Sequence, residues 1–239
     1  MKVELVKHHS KRYEACFKSF NRLKHYPLSE AIQLLSQFAK TKFDETVSLD
    51  FQLGIRPDQS NELVRGTVAL PHGTGKKVRV LCFVKGEAQK AASDAQADYV
   101  GADDLINKIN GGWLEFDAIV AHPDMMRDIS KLGKVLGPRG LMPSPKTGTV
   151  TADVAKAIRE IKAGRVEFKS DKTGGLHVRC GKRSFTSAAL FENAKIAVKA
   201  IVDAKPQSSK GDFIRRAYLA ASGSPGIRLK SAAMGVYEN

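Results

Sequence analysis

Cysteine is scarce in this chain. Cys16, Cys82 and Cys180 are odd in number, widely separated and form no Cys-X-X-Cys pair. That argues against a disulfide scaffold and against cysteine-based metal or redox motifs. Long apolar runs are missing too. The longest uninterrupted aliphatic or aromatic stretches, such as Val80 to Val84, are about five residues, where a membrane-crossing helix needs roughly 18–20. The N-terminus carries Lys2, His8, His9, Lys11 and Arg12 with no apolar segment behind them, so it does not read as a secretory signal. His8, His9, His25, His72, His122 and His177 stand at no recognised zinc spacing from another His, Cys or Glu, and His8-His9 reads as a solvated tail. Gly-X-Ser-X-Gly and His-Glu-X-X-His are absent. No metal and no cofactor is expected, although a scattered catalytic triad would leave no such trace.

Acidic residues are also in short supply. The 239 residues include 39 Lys and Arg against 25 Asp and Glu, a net charge of +14. An excess of that size points to an anionic partner, most often nucleic acid. It is unevenly placed. Residues 1–71 hold 11 basic and 8 acidic residues, residues 72–164 hold 14 and 11, and residues 165–239 hold 14 and 6. Lys131 to Ala152 carries Lys131, Lys134, Arg139 and Lys146 and no acid. Basic residues sit among Val, Ile and Phe, so the charge belongs to folded surfaces.

Hydrophobic residues make up 42% of the chain, enough for a core. Residues 29–40 predict a helix with Ser29 as N-cap and Ala31, Ile32, Leu34, Leu35 and Phe38 near helical spacing. Val47, Leu49, Phe51 and Leu53 alternate with polar residues, the period of a half-buried strand, and Val64 to Leu70 is a second strand. The pattern then changes. Val78 to Val84 predicts a strand covered on both faces. It is followed by a helix over 87–96, a strand over 97–100, a helix over 103–110 and a buried strand over 118–121. His122-Pro123-Asp124 opens a helix, and another runs from Thr151 to near Gly164. Strands alternating with helices imply a parallel sheet. After Gly164, Val166 and Phe168, the turn 171–175 and the alternation Leu176, Val178, Cys180 read as a hairpin. A helix over 190–202 and a strand over 213–220 complete the pattern.

The ends therefore share an antiparallel α+β style, and the middle is α/β. The economical topology is an insertion: a discontinuous α+β domain of residues 1–71 and 165–239, interrupted by an α/β Rossmann-like parallel-sheet domain over 72–164. The joints near Pro71-His72-Gly73 and Gly164 permit hinge motion.

Three segments invite chemistry. His72-Gly73-Thr74-Gly75-Lys76-Lys77 fails as a phosphate loop, because Leu70 and Lys77 stand where Gly and Ser or Thr are required and a strand follows it. A nucleotide-dependent enzyme built on the α/β insert would have to do without that loop and without a Gly-X-Gly-X-X-Gly turn. Gly137 to Lys146 is a stiff basic loop, either a connector or a surface that touches RNA or protein. Lys42-Phe43 before a strand offers an aromatic for stacking beside a cation for phosphate; from spacing alone, Phe43 fits a core residue better.

Six stretches then fall into one pattern: KFDETV at 42–47, VRGTVALPHGTGKKVRV at 64–80, DMM at 124–126, KLGKVLGPRGLMPSPKTGTVT at 131–151, IKAGRVEFKSDKTGGLH at 161–177 and GKRSF at 181–185. Together they closely resemble the ribosomal protein L-one family of bacterial type, from about Lys11 to about Ile227. The resemblance implies a non-enzymatic protein with the insertion topology described above. Its discontinuous domain would grip large-subunit rRNA in the mobile stalk beside the tRNA exit site. It also implies contact with exit-site tRNA and, in many bacterial members, repression of the protein's own operon, whose mRNA leader mimics the rRNA site. Carried over by position, the RNA-contact residues are Lys42, Phe43, Thr46 and Lys172. The family's Thr-Met-Gly before proline is here Ser222-Gly223-Ser224 before Pro225, which keeps a hydroxyl and small residues but loses the methionine. Ser144 stands where the family usually has Asn. Lys42 and Lys172 are expected to meet phosphate, and Phe43 with the Ser222 to Ser224 backbone to make close contacts. The short N-terminus fits a protein of the bacterial cytoplasm, without membrane association.

Overall fold

Ser10 accepts a hydrogen bond from the N–H of Tyr13 and so starts helix α1 (Lys11–Lys18). The computed structural model of the chain describes residues 10–56, 62–86, 88–207, 209 and 211–230; the His8-His9 tail lies outside them. Helix α2 (Leu28–Gln37) follows. It begins one residue before the expected cap: Pro27, not Ser29, holds the N-cap position with an extended ψ of 155°, and no side chain caps the helix. Proline already has the φ needed to enter the first turn, and its carbonyl accepts from Ala31.

Strand β1 (Thr46–Leu53) buries Val47, Leu49, Phe51 and Leu53 and leaves Thr46, Ser48, Asp50 and Gln52 half-buried on the other face. A slip of one residue would expose all four apolar side chains. At roughly 1.5–3 kcal/mol each, the loss of about 6–12 kcal/mol rivals the stability of a whole domain, so the register is fixed. Strand β2 (Arg65–Ala69) leads to the middle of the chain.

There the elements are β3 (Val80–Phe83), α3 (Ala88–Asp94), β4 (Tyr99–Gly101), α4 (Asp103–Asn110) and β5 (Ala118–Ala121). A 3₁₀ turn (Pro123–Met125), α5 (Met126–Ile129), α6 (Gly133–Leu136) and α7 (Val154–Lys162) follow. His122-Pro123-Asp124 thus opens a 3₁₀ turn before the helix, with His122 as its cap. Helix α7 begins at Val154, not at Thr151, and is capped by Asp153; the Thr151 hydroxyl accepts from the N–H of Asp153 at 3.1 Å. The strands form a parallel sheet of order β4-β3-β5. β3 is buried on both faces: Leu81 and Phe83 join α4, α5 and α6 in one core, while Val80 and Cys82 join α3 and α7 in another.

The last elements are β6 (Arg165–Lys169), β7 (Gly175–Lys182), α8 (Ser187–Asp203), β8 (Ile214–Ala221) and β9 (Ile227–Arg228). The expected hairpin of β6 with β7 does not form. β6 pairs with β2 in a two-stranded sheet, β7 pairs with β1, and a single bridge from Ser170 to Leu176 links the two arms. The reason is long-range: β1 offers β7 a full antiparallel edge and a shared apolar face. The resulting sheet has the order β7-β1-β8-β9, all antiparallel. Helices α2 and α8 pack against it through Ile32 and Leu35 and through Leu190, Ala194, Ala197 and Ile201.

Of the described residues, those up to Gly75 and those from Phe168 form one compact unit, and Lys76–Glu167 form the other. The architecture is therefore an antiparallel α+β unit built from both ends and an α/β unit inserted between them. Burial pushes the thiols of Cys82 and Cys180 up to about 12, so neither is a nucleophile near neutral pH. Among the described residues no helix is long and apolar enough to cross a membrane.

Candidate nucleic-acid interface

The segment before β1 is held by side chains from three other parts of the chain. The Thr41 hydroxyl donates to the Phe43 carbonyl at 2.7 Å, and the Phe43 ring is 60% exposed. The core alternative for Phe43 is thereby excluded. Asp44 accepts from the backbone N–H of Ser184 at 3.1 Å and from its hydroxyl at 2.8 Å. Glu45 is the reverse of Phe43: only 1% exposed, it pairs with Arg183, whose side chain is 8% exposed. Arg183 also donates to the carbonyls of Leu35 and Phe38 at the end of α2 and to that of Ala39. Carbonyls at a helix C-terminus lack most of their helical partners, and that of Leu35 accepts only a long 3.4 Å bond from the Phe38 N–H, so a guanidinium is well placed there.

The Ser222-Gly223-Ser224 turn closes over this pair. The Gly223 N–H donates to the free Glu45 oxygen at 3.0 Å, and its carbonyl accepts from the Arg12 guanidinium at 2.6 Å. A Cβ on Gly223 would lie 2.8 Å from both the Arg12 nitrogen and the Glu45 oxygen, so a larger residue there obliges the turn or these side-chain ends to shift. The Ser222 hydroxyl accepts from the N–H of Thr46 at 3.2 Å, and the Ser222 N–H returns to the Thr46 carbonyl at 3.1 Å. Ser224 closes the turn with its N–H to the Ala221 carbonyl at 3.0 Å and its hydroxyl accepting from the Ala221 N–H at 2.9 Å. All three backbone N–H groups are thus spent inside the protein and are not available to a ligand. What the turn leaves open is its surface: Ser222 is exposed and Gly223 and Ser224 are half-buried. Lys182 completes the end of the sheet, donating to the Thr46 hydroxyl at 3.0 Å and to the Asp44 carbonyl at 3.2 Å. Lys42, beside Phe43, is exposed.

Lys172 is elsewhere. It sits in the turn before β7, where Asp171 accepts from the N–H and hydroxyl of Thr173, both at 2.8 Å, and from the N–H of Gly175 at 2.7 Å. The Gly174 carbonyl accepts from Leu53 at the far end of β1. Thr46, which pairs with Lys182, and Leu53 are seven strand residues apart, roughly 23 Å. The structure brings Lys42, Phe43, Thr46, Ser222, Gly223 and Ser224 to one end of the sheet and puts Lys172 at the other.

Between the two ends lies the sheet face that no helix among the described residues covers. Register places His177, Asp50, Tyr218 and Arg228 in one row across β7, β1, β8 and β9. Arg179, Ser48 and Ala220 form the next row, and Gln52 faces Arg216 in a third. With Lys182, the positions of this face hold four full cations, Arg179, Lys182, Arg216 and Arg228, and Asp50 is its single acid among the described residues. Asp50 accepts from His177 Nδ1 at 2.8 Å and from the Ser48 hydroxyl at 3.3 Å. The face suits a polyanion.

In the inserted unit, Arg139 stands at an exposed loop tip next to Gly140, whose φ is 68°. Ser144 acts through its backbone, its carbonyl accepting from Thr147 and Thr149 and its N–H donating to the Thr149 hydroxyl at 2.8 Å. Lys131 is paired with Asp128 at 3.2 Å. Among the described residues no group of His, Cys, Asp and Glu is placed to hold a metal ion.

Residues 35–225 match the model of the ribosomal protein L1p/L10e family. The chain belongs to that family. It is 53% identical over 220 residues to the large ribosomal subunit protein uL1 of Kosmotoga olearia, covering 92% of this chain and 95% of that protein. It is 50% identical over 220 residues to the large ribosomal subunit protein uL1 of Protochlamydia amoebophila, covering 92% and 93%. Membership in the L1p/L10e family makes this a ribosomal protein and not an enzyme.

The structure shows what the motifs alone did not. Arg12, Glu45 and Arg183 position the L1-family segment 42–46 and the turn 222–224 from positions up to 211 residues apart. Glu45 and Arg183 lie in the stretches 42–47 and 181–185, but nothing in those stretches marks them as a pair, and Arg12 lies outside all six. Arg179, Arg216 and Tyr218 were within reach: they occupy the polar positions of strands whose apolar positions define the core.

Proposed function

We propose that this ribosomal protein takes its place in the large subunit by binding large-subunit rRNA with the open face of its four-stranded sheet and the loops at both ends. The discontinuous domain of residues 1–71 and 165–239 makes the grip, and residues 72–164 form the insert. One observation carries the reading: a strip rich in cations and polar groups runs from Lys42, Phe43 and Thr46 to Lys172, with Asp50 the single acid on its sheet face among the described residues and with Asp44 and Asp171 at its two ends bonded to neighbouring N–H and hydroxyl groups. Lys42, Lys182, Arg179, Arg216 and Lys172 neutralise successive phosphates and release their counterions. Phe43 stacks on an unpaired base, and the small residues of Ser222-Gly223-Ser224 allow the RNA backbone to approach closely. Shape and a few close contacts then supply specificity.

In this reading the protein belongs to the mobile stalk beside the tRNA exit site in the cytoplasmic ribosome, and assists departure of deacylated tRNA. It also represses translation of its own operon through an mRNA leader that folds like the rRNA site. The family resemblance supports both roles, and the accessible Arg139 loop supports the first.

The deciding experiment is a titration of a large-subunit rRNA stalk fragment at several salt concentrations, with an unrelated stem-loop as competitor. Tight binding that survives competition and falls steeply with salt supports the reading. Equal weak binding to both RNAs overturns it. The same assay with the operon leader decides the repressor role.

A further inference from the structure

We infer that Asp50 is a specificity-determining residue of the RNA face: its carboxylate accepts a hydrogen bond from a nucleotide N–H or O–H donor and thereby sorts RNAs that the surrounding cations would otherwise bind alike. This inference rests on the rRNA-binding reading above.

An acid in the middle of a cationic face weakens attraction for phosphate, so its presence there asks for a different contact. Asp50 is flanked by His177 and Arg179 of β7 on one side and by Tyr218 and Arg216 of β8 on the other. Its orientation is fixed by two donors, His177 Nδ1 on one carboxylate oxygen at 2.8 Å and the Ser48 hydroxyl on the other at 3.3 Å. An ionised carboxylate oxygen accepts about two hydrogen bonds, so each oxygen keeps one acceptor position. The side chain is 30% exposed, which leaves those positions open on the RNA side. A carboxylate offers only acceptors. Phosphate, which has no donor, is repelled; a ribose 2′-hydroxyl or a base amino or imino group is attracted. An RNA that fails to present such a donor strips water from the carboxylate without replacing its hydrogen bond, and that penalty creates discrimination.

The test uses the full-length protein, the rRNA stalk fragment and the unrelated stem-loop, each at several salt concentrations. Asp50→Ala is expected to lower affinity for the fragment roughly ten- to hundredfold. The salt slope should stay unchanged, since no phosphate contact is removed, and affinity for the stem-loop should hold or rise. Asp50→Asn keeps the shape and one carbonyl acceptor and should fall between; it carries the test if the alanine variant melts early. Fragments with single 2′-deoxy substitutions, and fragments with guanosines replaced by inosine, identify the donor. The responsible position weakens binding to the native protein and leaves Asp50→Ala unaffected. Unchanged or tighter binding of the fragment by Asp50→Ala, while the native protein still discriminates, overturns the inference and makes Asp50 a repulsive charge or a mere support for His177. Loss of discrimination by the native protein overturns the rRNA reading itself.

Discussion

Glu45 and Arg183 form a buried ion pair whose second carboxylate oxygen holds the N–H of Gly223 at 3.0 Å. One carboxylate thus ties the end of α2, the entry to β1 and the turn after β8 into a single piece. Breaking such a pair on one side leaves a bare buried charge and costs about 3–5 kcal/mol, whereas replacing both partners by apolar groups costs far less. Glu45→Ala is therefore expected to destabilise by that amount in chemical denaturation, and Glu45→Met with Arg183→Met by clearly less. Additive losses in the double variant would show that the two do not act as a unit.

Gly223→Ala places a Cβ against Arg12 and Glu45. Overpacking of this kind costs about 1–3 kcal/mol. Because the turn or these side-chain ends must shift, rRNA affinity should fall with stability. Ser222→Ala removes one acceptor from the N–H of Thr46 and should cost only about 0.5–1.5 kcal/mol. Equal melting temperatures for Gly223→Ala and the native protein would remove the packing argument.

Phe43→Ala separates folding from binding. The ring is mostly exposed, so stability should change by no more than about 0.5 kcal/mol. Loss of a stacked base should weaken rRNA binding by about 1–3 kcal/mol. Lys172→Ala, at the other end of the sheet, should lower the salt slope by about one unit. An unaltered slope would take Lys172 out of the interface.

Asn193 is fully buried and latches the segment after β2 to α8: it accepts from the N–H of His72 at 3.2 Å and donates to the carbonyls of Gly73 at 3.1 Å and Cys180 at 2.8 Å. Asn193→Leu leaves the buried Cys180 carbonyl without that partner, at about 1–3 kcal/mol, and frees the less buried His72 N–H and Gly73 carbonyl to water. A loss of about 1–3 kcal/mol in denaturant unfolding is the expected result.

The turn that carries Lys172 should be acid-sensitive. The Asp171 carboxyl is held below its ordinary value, first by the Thr173 hydroxyl and then by the N–H groups of Thr173 and Gly175, against the cost of desolvation. A lowered folded pKa stabilises at pH above the ordinary carboxylate value, about 3.9, and the contribution is lost as pH falls through the lowered value. The amide resonances of Thr173 and Gly175 should therefore hold their positions down to about pH 4 and shift below it. Movement centred at the ordinary value would mean that the turn does not depend on this carboxylate.

Strand and helix periodicity sufficed to read most elements of this chain. Asp103–Asn110 and Ala118–Ala121 coincide with their expected ranges, because local apolar spacing and burial agree there. The failures occur where a partner distant in the chain competes with a near one. β6 and β7 are joined by a short turn and look like a hairpin, yet the apolar face of β1 captures β7. Ser29 is a good cap by type, but the preceding proline already sets the backbone.

The sequence by itself determined the fold class, the basic character and the family, since composition, periodicity and long motifs are properties of the chain in order. Only the tertiary structure decided that Phe43 is exposed and Glu45 buried two residues later, that the N–H groups of Ser222 to Ser224 are spent on internal partners, and that Lys172 lies at the opposite end of the sheet from Thr46. The physical reason is that burial and hydrogen-bond pairing depend on which surfaces meet. Here the meeting surfaces come from residues more than a hundred positions apart, which no local pattern encodes.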